Sequence, residues 1–107
     1  MKMLAIAAAA TLSFSGAAAA DEIADAYKAQ CKGCHGAEGK GDTKIGLKEK
    51  VEDMTNPKWQ ASNTDVQIKN VITNGSDKNP KMKAFKTKLT PAQIDGLVAY
   101  VRAMKAS

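Results

Sequence analysis

Cys31-Lys32-Gly33-Cys34-His35 puts two thiols and the only histidine of the chain within five residues. On a helix, positions i, i+3 and i+4 share a face, so both sulfurs and the imidazole point the same way. Covalent c-type haem attachment requires this arrangement: two thiols to bond the vinyl groups of one porphyrin, and a nitrogen beside them for its iron. Three plainer chemistries use the same residue types. A thioredoxin-like redox pair follows a strand in a βαβ unit, and no β-branched or alternating run precedes Cys31. Zinc needs a fourth strong ligand, and the chain has no other Cys or His. A disulfide between residues three apart closes too small a loop to constrain the unfolded chain usefully. Covalent haem is the reading retained.

A histidine-bound haem iron has a second face, and its occupant separates electron carriage from small-molecule binding. Beyond the first twenty residues the thioethers are Met54, Met82 and Met104. Met104 lies near the end of the chain, where packing explains it. Met54 follows a possible helical turn, but Glu52 and Asp53 beside it bring uncompensated carboxylates. Met82 sits in a long irregular segment between Pro80 and Phe85, where the backbone is free to swing a thioether onto iron, and it is the expected sixth ligand; filling a gap is the ordinary alternative for a methionine. Trp59, the sole tryptophan, reads as a wall of the haem pocket whose indole N–H reaches a propionate, or as core packing with another acceptor.

The elements that position these groups follow from composition and periodicity. Met1-Lys2, an apolar run from Met3 to Phe14 and Ala18-Ala19-Ala20 form a secretory leader with cleavage expected after Ala20, hence an exported, periplasmic protein. The apolar run is shorter than the roughly 20 residues a membrane-spanning helix needs, so no span is expected. Removing residues 1–20 leaves one domain, residues 21–107, which is about 37% apolar against 44% for the whole chain. So small a domain usually needs a staple or a bound cofactor. Its formal charge of +4 is interleaved with acids, which suits an acidic protein surface better than nucleic acid.

Ile23, Ala26, Tyr27 and Cys31 mark one face of a first helix, with Asp21, Glu22 and Asp25 near its start. A glycine-rich loop, 36–42, follows His35. A possible short turn covers Leu47 to Asp53, and Asn56-Pro57 breaks any helix. Val66 to Asn74 forms a helix capped by Asn63 or Thr64 and stopped at Asn74-Gly75. Residues 76–89 are irregular. Thr90-Pro91-Ala92-Gln93 opens the last helix with a capping box, and Ile94, Leu97, Val98 and Val101 repeat on one face. No useful strand alternation appears, and the fold class is all-α.

With Cys-x-x-Cys-His near its start, a methionine loop late and a capped terminal helix, the sequence resembles the class I c-type cytochromes, specifically small soluble bacterial monohaem carriers, over essentially all of residues 21–107. The resemblance implies three to four helices around one haem c held by Cys31 and Cys34, with His35 and Met82 on the iron. It implies that the first and last helices cross, bringing Tyr27 to Leu97 and Tyr100. One departure stands out. The family usually places a proline ten to a dozen residues past the histidine, and its carbonyl orients the imidazole. Here the stretch is Thr43-Lys44-Ile45-Gly46-Leu47, so a carbonyl near Ile45 is expected to take over.

The expected function is outer-sphere transfer of single electrons between redox partners by a monomeric carrier that is not an enzyme. Ile68, Val71, Ile72, Phe85, Leu89, Leu97 and Val98 are the expected haem surroundings. Lys78, Lys81, Lys83, Lys86 and Lys88, with no acid among them, read as a docking patch for an acidic partner or as a solvated loop. The alternative function is a haem enzyme or gas-binding module with an open or labile sixth site. The scarcity of further His and Arg side chains to assist peroxide chemistry weighs against it.

Overall fold

The computed structural model describes residues 18–105. The expected leader, residues 1–20, falls almost wholly outside the described residues, and Ala20 is the first residue of a helix. Six helical segments lie among the described residues: α1 Ala20–Gln30, α2 Lys32–His35, α3 Lys44–Lys48, α4 Pro57–Ser62, α5 Asp65–Asn74 and α6 Pro91–Arg102. There is no strand among the described residues.

The capping chemistry works as the side chains dictate. Thr90 accepts a bond from the Gln93 amide while the Gln93 side chain accepts from the Thr90 amide, and Thr64 with Gln67 builds the same reciprocal box at α5. Each such cap is worth about 1 kcal/mol. Two local expectations are corrected. Asn56-Pro57 does not break a helix but starts one: Asn56 caps by accepting from the Lys58 amide, and Pro57 fills the first position, where its missing N–H costs nothing. The turn expected over Leu47 to Asp53 is shifted earlier, because Thr43 caps α3 at its start and Lys50 leaves the helix at φ 58°, in the left-handed region.

α6 is the central element, packed against α1 and α5. Its apolar face, Ile94, Leu97, Val98 and Val101, is buried, with Leu97 only 1% exposed. Full burial of such a side chain is worth about 2 kcal/mol. A side chain at Gly96 would run into Ile23, so α1 and α6 cross at close range. Tyr27 and Tyr100 meet across the crossing with ring centroids 4.9 Å apart. The rest of the core comes from Met54, Ile68, Ile72, Phe85, Leu89 and Met104. Arg102 closes the far end: it donates to the Gln60 carbonyl at 2.8 Å, to Gln60 Oε1 at 2.9 Å, to Asp65 Oδ1 at 2.5 Å and to the Asn63 carbonyl. That clamp joins α4, α5 and α6. No helix of the described residues is long and apolar enough to cross a membrane.

Candidate haem site

α1 carries the site on its carboxyl end. The Cys31 amide donates to the Tyr27 carbonyl at 2.8 Å, so the α1 ladder runs to the first thiol. At Cys31 the backbone bends (φ −117°, ψ −36°), and α2 resumes as one turn in which Cys34 and His35 amides donate back to the Cys31 carbonyl at 3.2 and 3.0 Å. Cys31, Cys34 and His35 are all half-buried, and neither sulfur is bonded to the other.

The carbonyls of this turn are tied to distant residues. Thr43 Oγ1 donates to the Cys34 carbonyl at 3.2 Å, the Gly41 amide to the His35 carbonyl at 2.7 Å, and the buried Tyr27 hydroxyl to the Gly36 carbonyl at 2.7 Å. α3 leans on the same turn through Gly46, where any Cβ would collide with the Cys34 and Gly41 carbonyl oxygens. Glycine is required there by close backbone approach.

Burial sets the electrostatics. It pushes the Cys31 thiol up to about 11, with the neighbouring Cys34 adding a smaller push in the same direction. Cys31 therefore stays a protonated thiol through neutral pH, unlike the activated thiolate of a redox pair. Among the described residues no three His, Cys, Asp or Glu side chains converge to hold an ion. Burial also raises Tyr27 well above the usual phenol range, so its hydroxyl remains a donor to Gly36. The His35 imidazole is lowered by burial and is neutral, as an iron ligand must be.

His35 Nδ1 is buried without a hydrogen-bond partner. The expected relief by a carbonyl near Ile45 is not found, because the Ile45 carbonyl accepts from the Glu49 amide at 2.8 Å within the end of α3. Nδ1 is the nitrogen the expected carbonyl would have held, which leaves Nε2, engaged by no described residue, as the atom that could face an iron. Two unjoined thiols and this imidazole on successive positions of one turn fit a covalently attached haem. Ile45 and Leu47, 52% and 69% exposed on the short helix held against that turn, are apolar surface that the chain alone leaves uncovered.

The other expected residues are distributed as follows. Met82 is half-buried and packs against the core from the irregular segment between α5 and α6. Met54 is buried, its amide donating to the Gly39 carbonyl at 2.8 Å and its carbonyl accepting from Gln60 Nε2 at 2.7 Å. Met104 is buried over Gly39, in keeping with packing. Trp59 packs half-buried on the core, but its indole N–H donates to Glu52 Oε1 at 2.9 Å, so that donor is already engaged. Of the expected haem surroundings, Val71 alone is only half-buried. Sequence reasoning missed the Thr43, Gly41 and Gly46 supports. The signal for them was the run of small residues after His35, read then only as a permissive loop.

Comparison with known proteins follows this geometry. A family model described as cytochrome c oxidase, cbb3-type, subunit III, matches residues 18–101. The cbb3-type cytochrome c oxidase subunit FixP of Azorhizobium caulinodans is 34% identical over 97 residues, covering 86% of this chain and 31% of that protein. This chain thus spans about a third of that relative's length. Among solved structures, the KustC0563 c-type cytochrome is similar with a TM-score of 0.70 at 34% identity, over 78% of this chain and 96% of that one. A tyrosine-to-phenylalanine mutant of Kustc0563 gives 0.68 at 32% identity, over 78% and 98%.

Proposed function

The chain belongs to the family of cbb3-type cytochrome c oxidase subunit III, all-α c-type cytochromes that carry covalent haem and transfer electrons, and from that premise we propose a soluble, exported, monomeric carrier with His35 and Met82 as the axial pair. The observation that carries the reading is the pair of unjoined thiols within one turn, with the neutral, half-buried His35 imidazole beside them. Bound haem supplies a one-electron ferrous/ferric couple.

Every other part of the mechanism belongs to the chain. Cys31 and Cys34 would hold the porphyrin by thioether bonds, and His35, held through the carbonyls on either side of it, would present its imidazole to the iron. Met82 supplies a thioether, which favours the reduced state relative to a second imidazole and moves the potential toward the positive end. Ile68, Ile72, Phe85, Leu89, Leu97 and Val98 exclude water and disfavour the extra charge of the oxidised state. Trp59 contributes its ring to the wall, its N–H remaining with Glu52. Were His35 and Met82 both to hold the iron, no position would remain for a substrate, and the transfer would be outer-sphere.

Lys78, Lys81, Lys83, Lys86 and Lys88 are all exposed, and none of the five makes an ion pair with a described residue. Free positive charge on the Met82 segment steers an acidic redox partner toward it. FixP is a subunit of a cytochrome c oxidase, and delivery of electrons toward such an oxidase is the corresponding proposal for this chain.

Optical spectra of both oxidation states, with potentiometric titration of the same sample, test the assignment. The expected result is the weak far-red band of a methionine-ligated ferric cytochrome, lost in Met82→Ala together with a marked fall in potential. A wild-type spectrum lacking that band, or a band that survives Met82→Ala, overturns the axial pair. A mass equal to the bare polypeptide, from cells able to mature c-type cytochromes, overturns covalent attachment.

A further inference from the structure

We infer that Asn79 is a positioning residue that holds Met82 toward the haem by anchoring its loop to the end of α3; the inference rests on the His35/Met82 reading above. Asn79 stands three residues before Met82 and makes bonds in three directions. Its carbonyl accepts from the Met82 amide at 3.0 Å, its Oδ1 accepts from the Lys81 amide at 2.9 Å, and its Nδ2 donates to the Glu49 carbonyl at 3.2 Å. Only the last of these leaves the loop. Among the described residues it is the single hydrogen bond between the Met82 segment, residues 75–89, and residues 31–56.

The acceptor sits at a telling place. Glu49 follows the last residue of α3, and the peptide whose oxygen Asn79 reaches joins Glu49 to Lys50, the one non-glycine residue with positive φ among those described (58°). A lysine in the left-handed region is held there at a cost of roughly 1 kcal/mol, and that conformation orients the peptide. α3 is in turn seated on the Cys34 carbonyl through Gly46. Asn79, Glu49, α3, Gly46 and Cys34 thus form a continuous connection between the methionine loop and the turn carrying the thiols. The remaining hydrogen bonds of Met82 are local, such as the Ser76 amide donating to its carbonyl at 3.1 Å.

The test uses purified ferric holoprotein and added imidazole, a ligand that must displace a thioether to bind iron. Affinity for imidazole at 25 °C, read from the far-red band and the Soret shift, reports how firmly the methionine is held. Asn79→Asp keeps the Oδ1 acceptor for Lys81 but removes the donor to Glu49; Asn79→Ala removes both. The expected result is that both variants bind imidazole about five- to tenfold more tightly, the amount a net hydrogen bond supplies, with Asn79→Asp shifted at least as far as Asn79→Ala. Arg102→Lys, which weakens the clamp joining α4, α5 and α6, should keep the wild-type affinity. Wild-type affinity in Asn79→Asp, or an equal shift in Arg102→Lys, overturns the inference while leaving the axial pair intact. A wild type without the far-red band sinks the axial pair and this inference together, so the two failures are distinguishable.

Discussion

The turn bearing Cys31, Cys34 and His35 is held by donors from outside it, in α1 and in the segment leading to α3, whereas the loop bearing Met82 is held mostly by itself. The carbonyls of Cys34, His35 and Gly36 each accept from a residue six to nine positions distant, and two of the donors are side chains. Within the loop, Ser76 caps the Lys78 and Asn79 amides, Ser76 and Met82 pair through the backbone, and Asn79 binds Lys81 and Met82. The Phe85 amide donating to the Ile72 carbonyl at 2.9 Å moors the exit to α5. Local bonds are lost together when a segment opens, while long-range bonds resist until the fold itself opens. The contrast suits the proposed roles: an imidazole fixed by the elements around it, and a thioether held by its own loop and by the single tether from Asn79 to Glu49.

The comparison can be broken most forcefully at Gly46. Gly46→Ala forces a Cβ against the backbone of Cys34 and Gly41, and overpacking against atoms that cannot swing aside should cost about 3 kcal/mol, measured by guanidinium unfolding of the holoprotein. An unchanged midpoint would mean that α3 is not seated on the thiol turn. Next is Tyr27→Phe, which removes the shorter of two bonds to the buried Gly36 carbonyl, leaving the Gly39 amide at 3.2 Å, and should cost about 1 kcal/mol in the same assay without altering the far-red band. A change in the band at constant stability would contradict the division of labour between turn and loop.

On the loop side, Gly75 has φ 88°, and a Cβ there would press on the Met82 carbonyl at 3.0 Å. Gly75→Ala should therefore cost about 1 kcal/mol in stability and, unlike Tyr27→Phe, weaken the far-red band. Mutation of the lysines is expected to do least. Lys81→Ala should slow electron exchange with an acidic partner by about twofold at low salt and have no effect at high salt, as screening predicts. Stopped-flow rates across an ionic-strength series check this, and salt-independent rates would return the lysines to a solvating role.

Much of this was legible in the sequence because the signals were local. The Thr90 and Thr64 caps, the α6 stripe and the thiol spacing all act within one or two helical turns, and the structure reproduces them. Pro57 was misread because a proline both ends and begins helices, and only the Asn56 side chain on the Lys58 amide tells the cases apart. The supports of the site were hidden for a different reason. Gly46 is defined by the carbonyls it approaches, Asn79 by a peptide thirty residues back, and neither relationship leaves a periodic trace. The absent proline was noticed, but the structure answers it by seating a helix on the turn, and no new carbonyl reaches His35 Nδ1.

Gly46 stands twelve residues after the second thiol, and its hydrogen-only side chain makes it a searchable marker. Chains that lack the usual proline but stack a short helix on the same turn should be confined to glycine at that spacing, while the residues to either side drift freely. A glycine of this kind, tallied across genomes beside the thiol pair, would sort out this architectural variant before any coordinates were available.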